Sequence, residues 1–343
     1  MYKLLAGAVF ILGFALAMGH LKAPQAPPAQ PPALQHAPAQ PAVYLATWNL
    51  EWLVRLADYP QLLANCDPNG QPNSNEWRFP CDNEHAPPPA RTPADVAQLA
   101  LIAQGLSGAV VALQEVDGPE AAAQLFPPSA WQLACFSQRK HPQNLGFALP
   151  RGIDYECGRE LLGLDIDGKT RPGVVITLWP GTPQSLRLLN VHLKSGCFAG
   201  PLYKKGPCLA LRSQVPKVED WIDQQVSSGQ AFVVLGDFNR RLEKDAQYPA
   251  GSDEAAPTSM FAAWHDQKPA GAALLRATAL MADQPCSPLS PYTQGAIDNI
   301  LVSASWAALF KRQEARRITY SAEQAKRYLL SDHCPLLLKL GNF

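Results

Sequence analysis

Six short polar clusters, each set at the end of an apolar run, constrain this chain more than any other feature. They are Thr47-Trp48-Asn49, Leu113-Gln114-Glu115, Asn190-Val191-His192, Gly236-Asp237-Phe238-Asn239, Ile297-Asp298-Asn299 and Ser331-Asp332-His333. The neighbouring runs VYLAT, AVVAL, LRLLNV, FVVLG, NILVS and PLLLKL read as buried strands. Strand ends that repeatedly carry Asp, Asn, Glu and His predict one polar pocket at one rim of a sheet. Hard oxygen donors with imidazoles suit a divalent cation and a phosphate ester.

The chain has 343 residues, and roughly 300 of them follow residue 42, enough for one large α/β domain. A hydrophobic content of 47% supplies a sizeable core. Lysines and arginines balance aspartates and glutamates, 29 against 29. With Lys3 and Lys22 set aside, residues 43–343 carry a net charge of −2. No global basic footprint marks a tight nucleic-acid binder. A local patch can still steer an anion.

Residues 1–22 read as a signal peptide or N-terminal anchor. Lys3 precedes an apolar run of 15 residues, Leu4 to Met18, shorter than the roughly 20 a membrane span needs. Ala15-Leu16-Ala17 is a cleavage candidate. Residues 23–42 are almost entirely Pro, Ala and Gln, an extended linker that cannot build a core. Membrane contact is expected only if the first segment stays attached. Eight cysteines follow, and an even number in an exported chain predicts disulfides and a periplasmic or secreted location. The local pairings are 66–81, 135–157 and 197–208, leaving 286–334, although eight cysteines allow 105 arrangements.

The domain spans 43–343. A Pro- and Asn-rich stretch over 55–90 is too long for a plain connection and is expected beside the pocket. Thr92-Pro93-Ala94-Asp95 predicts a capped helix start, with Gly108 ending the helix. A second helix is expected over 209–227, with Pro216 kinking it or marking its start and Gly229 at its C-terminal end. Adjacent strands at 145–149, 174–179 and 186–191 favour mixed sheets with helices outside.

TWNLEW, ALQEVDG, NVHLKS, VLGDFNR, IDNILVS and SDHCPL resemble, in order, the motifs of the endonuclease/exonuclease/phosphatase superfamily, the deoxyribonuclease I-like group. The resemblance covers 43–343. It implies an α/β four-layer sandwich, two packed mixed β-sheets flanked by helices, with the active site at one edge. It also implies roles. Asn49, Glu115 and Asp332 fall at the metal site, with Glu115 the principal ligand. Asp237 and Asn239 position the attacking water and the phosphate. Asp298 orients His333, which acts on phosphate or water, and His192 matches the second histidine of the nuclease branch. Glu156 and Glu160 are the candidates for a carboxylate partner of a histidine. Lys169-Thr170-Arg171-Pro172 resembles an Arg-Pro signature of some branches.

These residue types suit phosphodiester hydrolysis. Mg²⁺, with Mn²⁺ as a substitute and a role for Ca²⁺ left open, offsets charge on the phosphoryl oxygens and needs only one or two carboxylates. Imidazole titrates near neutrality and can take a proton or face a phosphate. Lys194, Arg212 and Arg240 are expected to contact substrate phosphates, the alternative being a solvated charged face. Trp52 and Trp77 could stack on bases or pack locally. The expected activity is an exported phosphodiesterase acting as a monomer on DNA or RNA, an endonuclease in the first instance. A sphingomyelinase-like or small-molecule phosphoesterase is the alternative, and a non-catalytic binding module the third reading.

Overall fold

The structure, a computed structural model, describes residues 42–64, 66, 90–139, 142–203, 206–245, 247, 259–282, 284–289, 296–310 and 313–341. Twelve described strands are β1 (Val43–Leu53), β2 (Val110–Val116), β3 (Trp131–Ala134), β4 (Asn144–Pro150), β5 (Tyr155–Cys157), β6 (Val174–Leu178), β7 (Leu186–His192), β8 (Ala231–Asp237), β9 (Leu274–Arg276), β10 (Asp298–Ser303), β11 (Gln313–Arg317) and β12 (Leu336–Leu340). The helices are α1 (Tyr59–Leu63), α2 (Pro93–Gln104), α3 (Gly118–Ala122), α4 (Pro207–Ser227), α5 (Leu242–Asp245), α6 (Met260–Trp264), α7 (Ala304–Ala307) and α8 (Ala322–Arg327).

The strands form two six-stranded sheets, ordered β11-β12-β1-β2-β4-β3 and β5-β6-β7-β8-β10-β9. Each is mixed: β1 runs parallel to β2 and β7 parallel to β8, and the other pairs are antiparallel. Side-chain alternation builds the layers. Leu45, Ala112, Phe147, Leu188, Val233, Ile300 and Leu338 point between the sheets. Their neighbours Ala46, Val111 and Leu113 face outward and pack on Leu99 and Ala103 of α2. Leu189, Val191 and Val234 pack on Leu211, Val215 and Ile222 of α4. Full burial of the central strands on both faces explains why they read as continuous apolar runs.

Helix α2 begins as its sequence predicts. The Thr92 side chain accepts from the Asp95 N–H, and Asp95 returns a bond to Thr92. The helix ends at Gln104, so Gly108 belongs to the following turn, where its φ is +86°. Helix α4 starts at Pro207, so Pro216 lies inside it and does not mark its start. Gly229, at φ +69°, closes it as expected. The disulfides Cys135–Cys157, Cys197–Cys208 and Cys286–Cys334 form as the spacing predicts. The Cys66–Cys81 pairing involves Cys81, outside the described residues, as are residues 1–41. Of the 55–90 stretch, the described part includes α1 and a preceding short turn of helix. Among the described residues no helix is long and apolar enough to cross a membrane.

Candidate active site

Asn49 on β1, Glu115 on β2, His192 on β7 and Asp237 on β8 come together at one end of the paired sheets, where the parallel pairs run out. Asp298 opens antiparallel β10 opposite Asp237 and so reaches the same end. A buried polar bridge ties the sheets together just behind it. Gln114 Nε2 donates to Asn190 Oδ1 at 2.8 Å and to Thr47 Oγ1 at 3.0 Å, and Asn190 Nδ2 donates to the carbonyls of Leu113 and Gly146 at 2.9 Å. All three side chains are fully buried and hydrogen-bonded, so the bridge fixes register without an unpaired group.

The backbone is bent locally to aim these groups. Glu51, Glu115 and Asn239 hold left-handed φ values of +46°, +54° and +51°. Irregular register between β1 and β2 falls between Asn49 and Leu53, and between β2 and β4 it falls between Leu113 and Val116. Bulges of this kind redirect side chains at the ends of strands. Gly236 is dictated by contact: a Cβ there would collide with the Val191 carbonyl on the adjacent strand.

Asn49 is a hydrogen-bond hub. Its Nδ2 donates to Glu115 Oε1 and to Asp237 Oδ2, both at 3.1 Å, and its Oδ1 accepts from the Glu51 N–H at 2.9 Å. The amide therefore positions two carboxylates, where the motif implied a metal ligand. Asp237 also accepts from the Asn239 N–H at 2.8 Å and from Asn239 Nδ2 at 3.1 Å. Burial above all, with the Asp298 charge, pushes the Asp237 carboxyl up to about 7 against the lowering effect of His333.

His333 Nδ1 lies 2.9 Å and 3.0 Å from the two oxygens of Asp298, and its Nε2 is 3.8 Å from Asp237 Oδ2. Burial pulls its pKa down, but Asp298 and Asp237 outweigh burial and hold it well above the ordinary value. The loop carrying it is anchored to β1: Ser331 Oγ donates to the Asn49 carbonyl at 2.8 Å, and Trp48 and Tyr320 both donate to the His333 carbonyl. His192 Nε2 sits 3.4 Å from Asp237 Oδ2 and 3.6 Å from Glu115 Oε1. Burial and then the Arg171 cation push its pKa well below the ordinary value. His192 Nδ1 has no hydrogen-bond partner among the described residues. Neither Glu156, which is exposed, nor Glu160 supplies a partner.

Asp332 is at the rim, its side chain 61% exposed and 3.9 Å from His333 Nε2. Its N–H donates to Glu51 Oε2 at 2.9 Å. Glu51 is a site residue that the motifs did not single out, although it follows Asn49 by two positions. Burial, then the Asp332 charge, pushes its carboxyl up to about 7 while Arg91, 3.6 Å away, opposes the rise. Glu115 adds to the same repulsion. Glu51 thus feels the charges of both Asp332 and Glu115. Among the described residues, the group whose potential ligand atoms lie within 4.8 Å of one another is Asp237, Asp298 and His333, with His333 Nδ1 turned to Asp298.

Arg171 lies near the carboxylates: burial lowers its pKa, and the Glu115 and then the Asp237 charge oppose that fall. It is buried, its Nη2 donates to the Leu193 carbonyl at 3.3 Å, and its Nε has no partner among the described residues. Lys194 is half-buried beside it, its pKa lowered by burial and then by Arg171. Arg212 is half-buried on α4. Arg240 corrects the expected rim: it is fully buried and bound to Asp245 at 2.6 Å, so it cannot meet a substrate phosphate. It has this fate because Asp245, five residues on, turns back beneath it. Trp52 is half-buried and packs in a small cluster with Val54 and Tyr59, while Trp77 lies outside the described residues.

The chain is similar to solved structures at low sequence identity. TDP2 from C. elegans aligns with a TM-score of 0.55 and 14% identity, over 88% of this chain and 75% of that one. A truncated Caenorhabditis elegans TDP2 aligns at 0.52 and 13%, over 87% of this chain and 98% of that one. A 3'-5' exonuclease (NExo) from Neisseria meningitidis aligns at 0.47 and 19%, over 87% and 100%. No protein-family model matches the chain, and no curated protein matches it significantly. The chain has the deoxyribonuclease I-like α/β sandwich fold, two mixed six-stranded sheets flanked by helices.

Proposed function

We propose that this chain is an exported, divalent-metal-dependent phosphodiesterase that hydrolyses nucleic acid. The observation that carries the reading is the convergence of Asp237, Asp298, His333 and His192 with the Glu115–Asn49 pair from five strand ends and one loop. Glu115, Glu51 and Asp332 are the residues that would hold Mg²⁺ or Mn²⁺, which when bound offsets charge on the phosphoryl oxygens.

The chain's own groups divide the remaining work. Asp237, raised to about 7 and held by Asn49 and Asn239, accepts a proton from an attacking water at neutral pH. His333, kept protonated by Asp298, faces the developing phosphoryl charge as a cation. His192, neutral in its buried setting, offers hydrogen bonding without a charge. Arg171, whose cation lies near Glu115 and Asp237, and Lys194 bind phosphate beside the carboxylates. Three disulfides support an exported setting.

The test is incubation of the purified chain with plasmid, RNA, a chromogenic phosphodiester and sphingomyelin, with Mg²⁺, Mn²⁺ or EDTA. Nicked circles in Mg²⁺ alone are expected. Turnover of sphingomyelin and no other substrate would replace this reading with the lipid phosphodiesterase.

A further inference from the structure

We propose that the Cys286–Cys334 disulfide positions His333 for the reaction, and that opening it with a dithiol lowers turnover while the fold stands. This rests on the nuclease reading and concerns the control of the same site: the oxidised chain is the active form.

Cys334 directly follows His333, so the bridge is anchored on the residue next to the imidazole. On the other side of His333 the backbone is held to β1, where Ser331 Oγ donates to the Asn49 carbonyl at 2.8 Å. The His333 carbonyl itself accepts from the Tyr320 hydroxyl at 2.7 Å and from Trp48 Nε1 at 3.2 Å. Tyr320 leans in turn on the far cysteine: its N–H donates to the Cys286 carbonyl at 3.1 Å. Cys286 is thus joined to the His333–Cys334 peptide by a covalent route and by a hydrogen-bonded one. It packs against the core that holds Cys334, Tyr320 and Trp48. Its neighbours Gln284, Pro285, Pro288 and Leu289 are exposed and bury little of their own. With the bridge open, Cys286 can withdraw, Tyr320 loses the carbonyl it leans on, and Cys334 is free to turn. His333 Nδ1 then no longer keeps its contacts of 2.9 Å and 3.0 Å with Asp298. Rate falls steeply with small displacements of a positioned group.

The two sulfurs differ in access. Cys334 is 1% exposed, whereas Cys286 is half-buried. The thiolate of a dithiol therefore attacks Cys286 Sγ. A new S–S bond forms to the reductant, the Cys286–Cys334 bond breaks, and Cys334 leaves as a thiolate that takes up a proton. The second thiol of the reductant then attacks this mixed disulfide. Cys286 is released as a thiol and the reductant leaves as its own disulfide, two electrons and two protons having passed to the chain. The other described bridges are placed differently. Both cysteines of Cys197–Cys208 are buried, and Cys135–Cys157 ties down β5, an edge strand of its sheet. A chain made in a reducing compartment would gain its full activity on oxidation.

The experiment titrates the native full chain with dithiothreitol, and iodoacetamide trapping with mass spectrometry identifies which bridge has opened at each step. As Cys286–Cys334 opens, kcat for nucleic-acid cleavage in Mg²⁺ is expected to fall by about tenfold or more, with KM nearly unchanged. Circular dichroism is expected to keep its native form, and reoxidation to restore the rate. The downfield imidazole N–H resonance that D298N removes should weaken in step, and it is read without turnover. C286S/C334S is expected to show the low kcat with no reductant present. Native kcat and an intact resonance with that bridge open would overturn the proposal. Unfolding in step with the opening would also overturn it, by making the bridge a support of the whole fold. Failure of the nuclease reading shows separately: the oxidised chain then cleaves no nucleic acid in Mg²⁺, while the resonance still follows the bridge.

Discussion

His333 Nδ1 faces both carboxylate oxygens of Asp298, at 2.9 Å and 3.0 Å, which leaves Nε2 as the ring atom turned toward Asp237. The carboxylate therefore fixes the tautomer and favours the imidazolium. Asp298→Asn removes the charge and keeps the size. It is expected to lower kcat by about 10²–10⁴-fold. It should also move the alkaline limb of the pH–rate profile to lower pH, because the imidazolium loses its counter-charge. A profile that keeps its alkaline limb would show that His333 does not act protonated.

The same pair sets a pH dependence of stability. His333 has a raised pKa in the folded chain, so its contribution is complete below the ordinary histidine value and is lost as pH rises through the folded one. Asp237 is raised from 3.8 to about 7, so folding disfavours its ionisation, and stability falls as pH climbs through that window. Both effects have the same sign. In EDTA, the Tm advantage of the native chain over D298N should be largest on the acid side of neutrality and close on the alkaline side. Scanning calorimetry across that range checks it.

Glu51, Glu115 and Asp332 concentrate negative charge at one end of the pocket. Mg²⁺ should raise the Tm of the native chain at mildly alkaline pH, by relieving that repulsion and by binding only the folded state. Glu51→Gln is expected to raise the Mg²⁺ concentration for half-maximal activity by about 10–100-fold. Glu115→Gln should abolish turnover at any concentration. Magnesium titrations of rate and of Tm separate the two roles. A Glu51→Gln chain with native magnesium dependence would remove Glu51 from the site.

The sheets, the two long helices, three disulfides and the convergent strand ends were legible because each depends on local pattern: apolar runs, a capping box, short cysteine spacings and polar residues at strand ends. Other features depend on tertiary placement. Nothing local distinguishes Arg240, buried under a loop, from Arg241 beside it. Asn49 reads as a ligand in a motif, but its amide faces two carboxylates that arrive from other strands. Glu51 enters the site only because the backbone turns left-handed there, after an irregularity that alternation of side chains does not foretell.

Arg240 supplies the sharpest contrast between a substrate contact and a structural one. Its guanidinium bonds Asp245 at 2.6 Å, and both side chains are fully shielded from water. Asp245 in turn accepts from Ser259 Oγ at 2.8 Å and from the Phe261 N–H at 3.0 Å, so it cannot move to follow a missing partner. Arg240→Met therefore strands a buried carboxylate, at a cost of about 3–5 kcal/mol. Urea unfolding of native and variant chains at neutral pH measures that cost. A rim cation would behave differently: its loss would cost under about 1 kcal/mol of stability and would appear as a raised KM for nucleic acid.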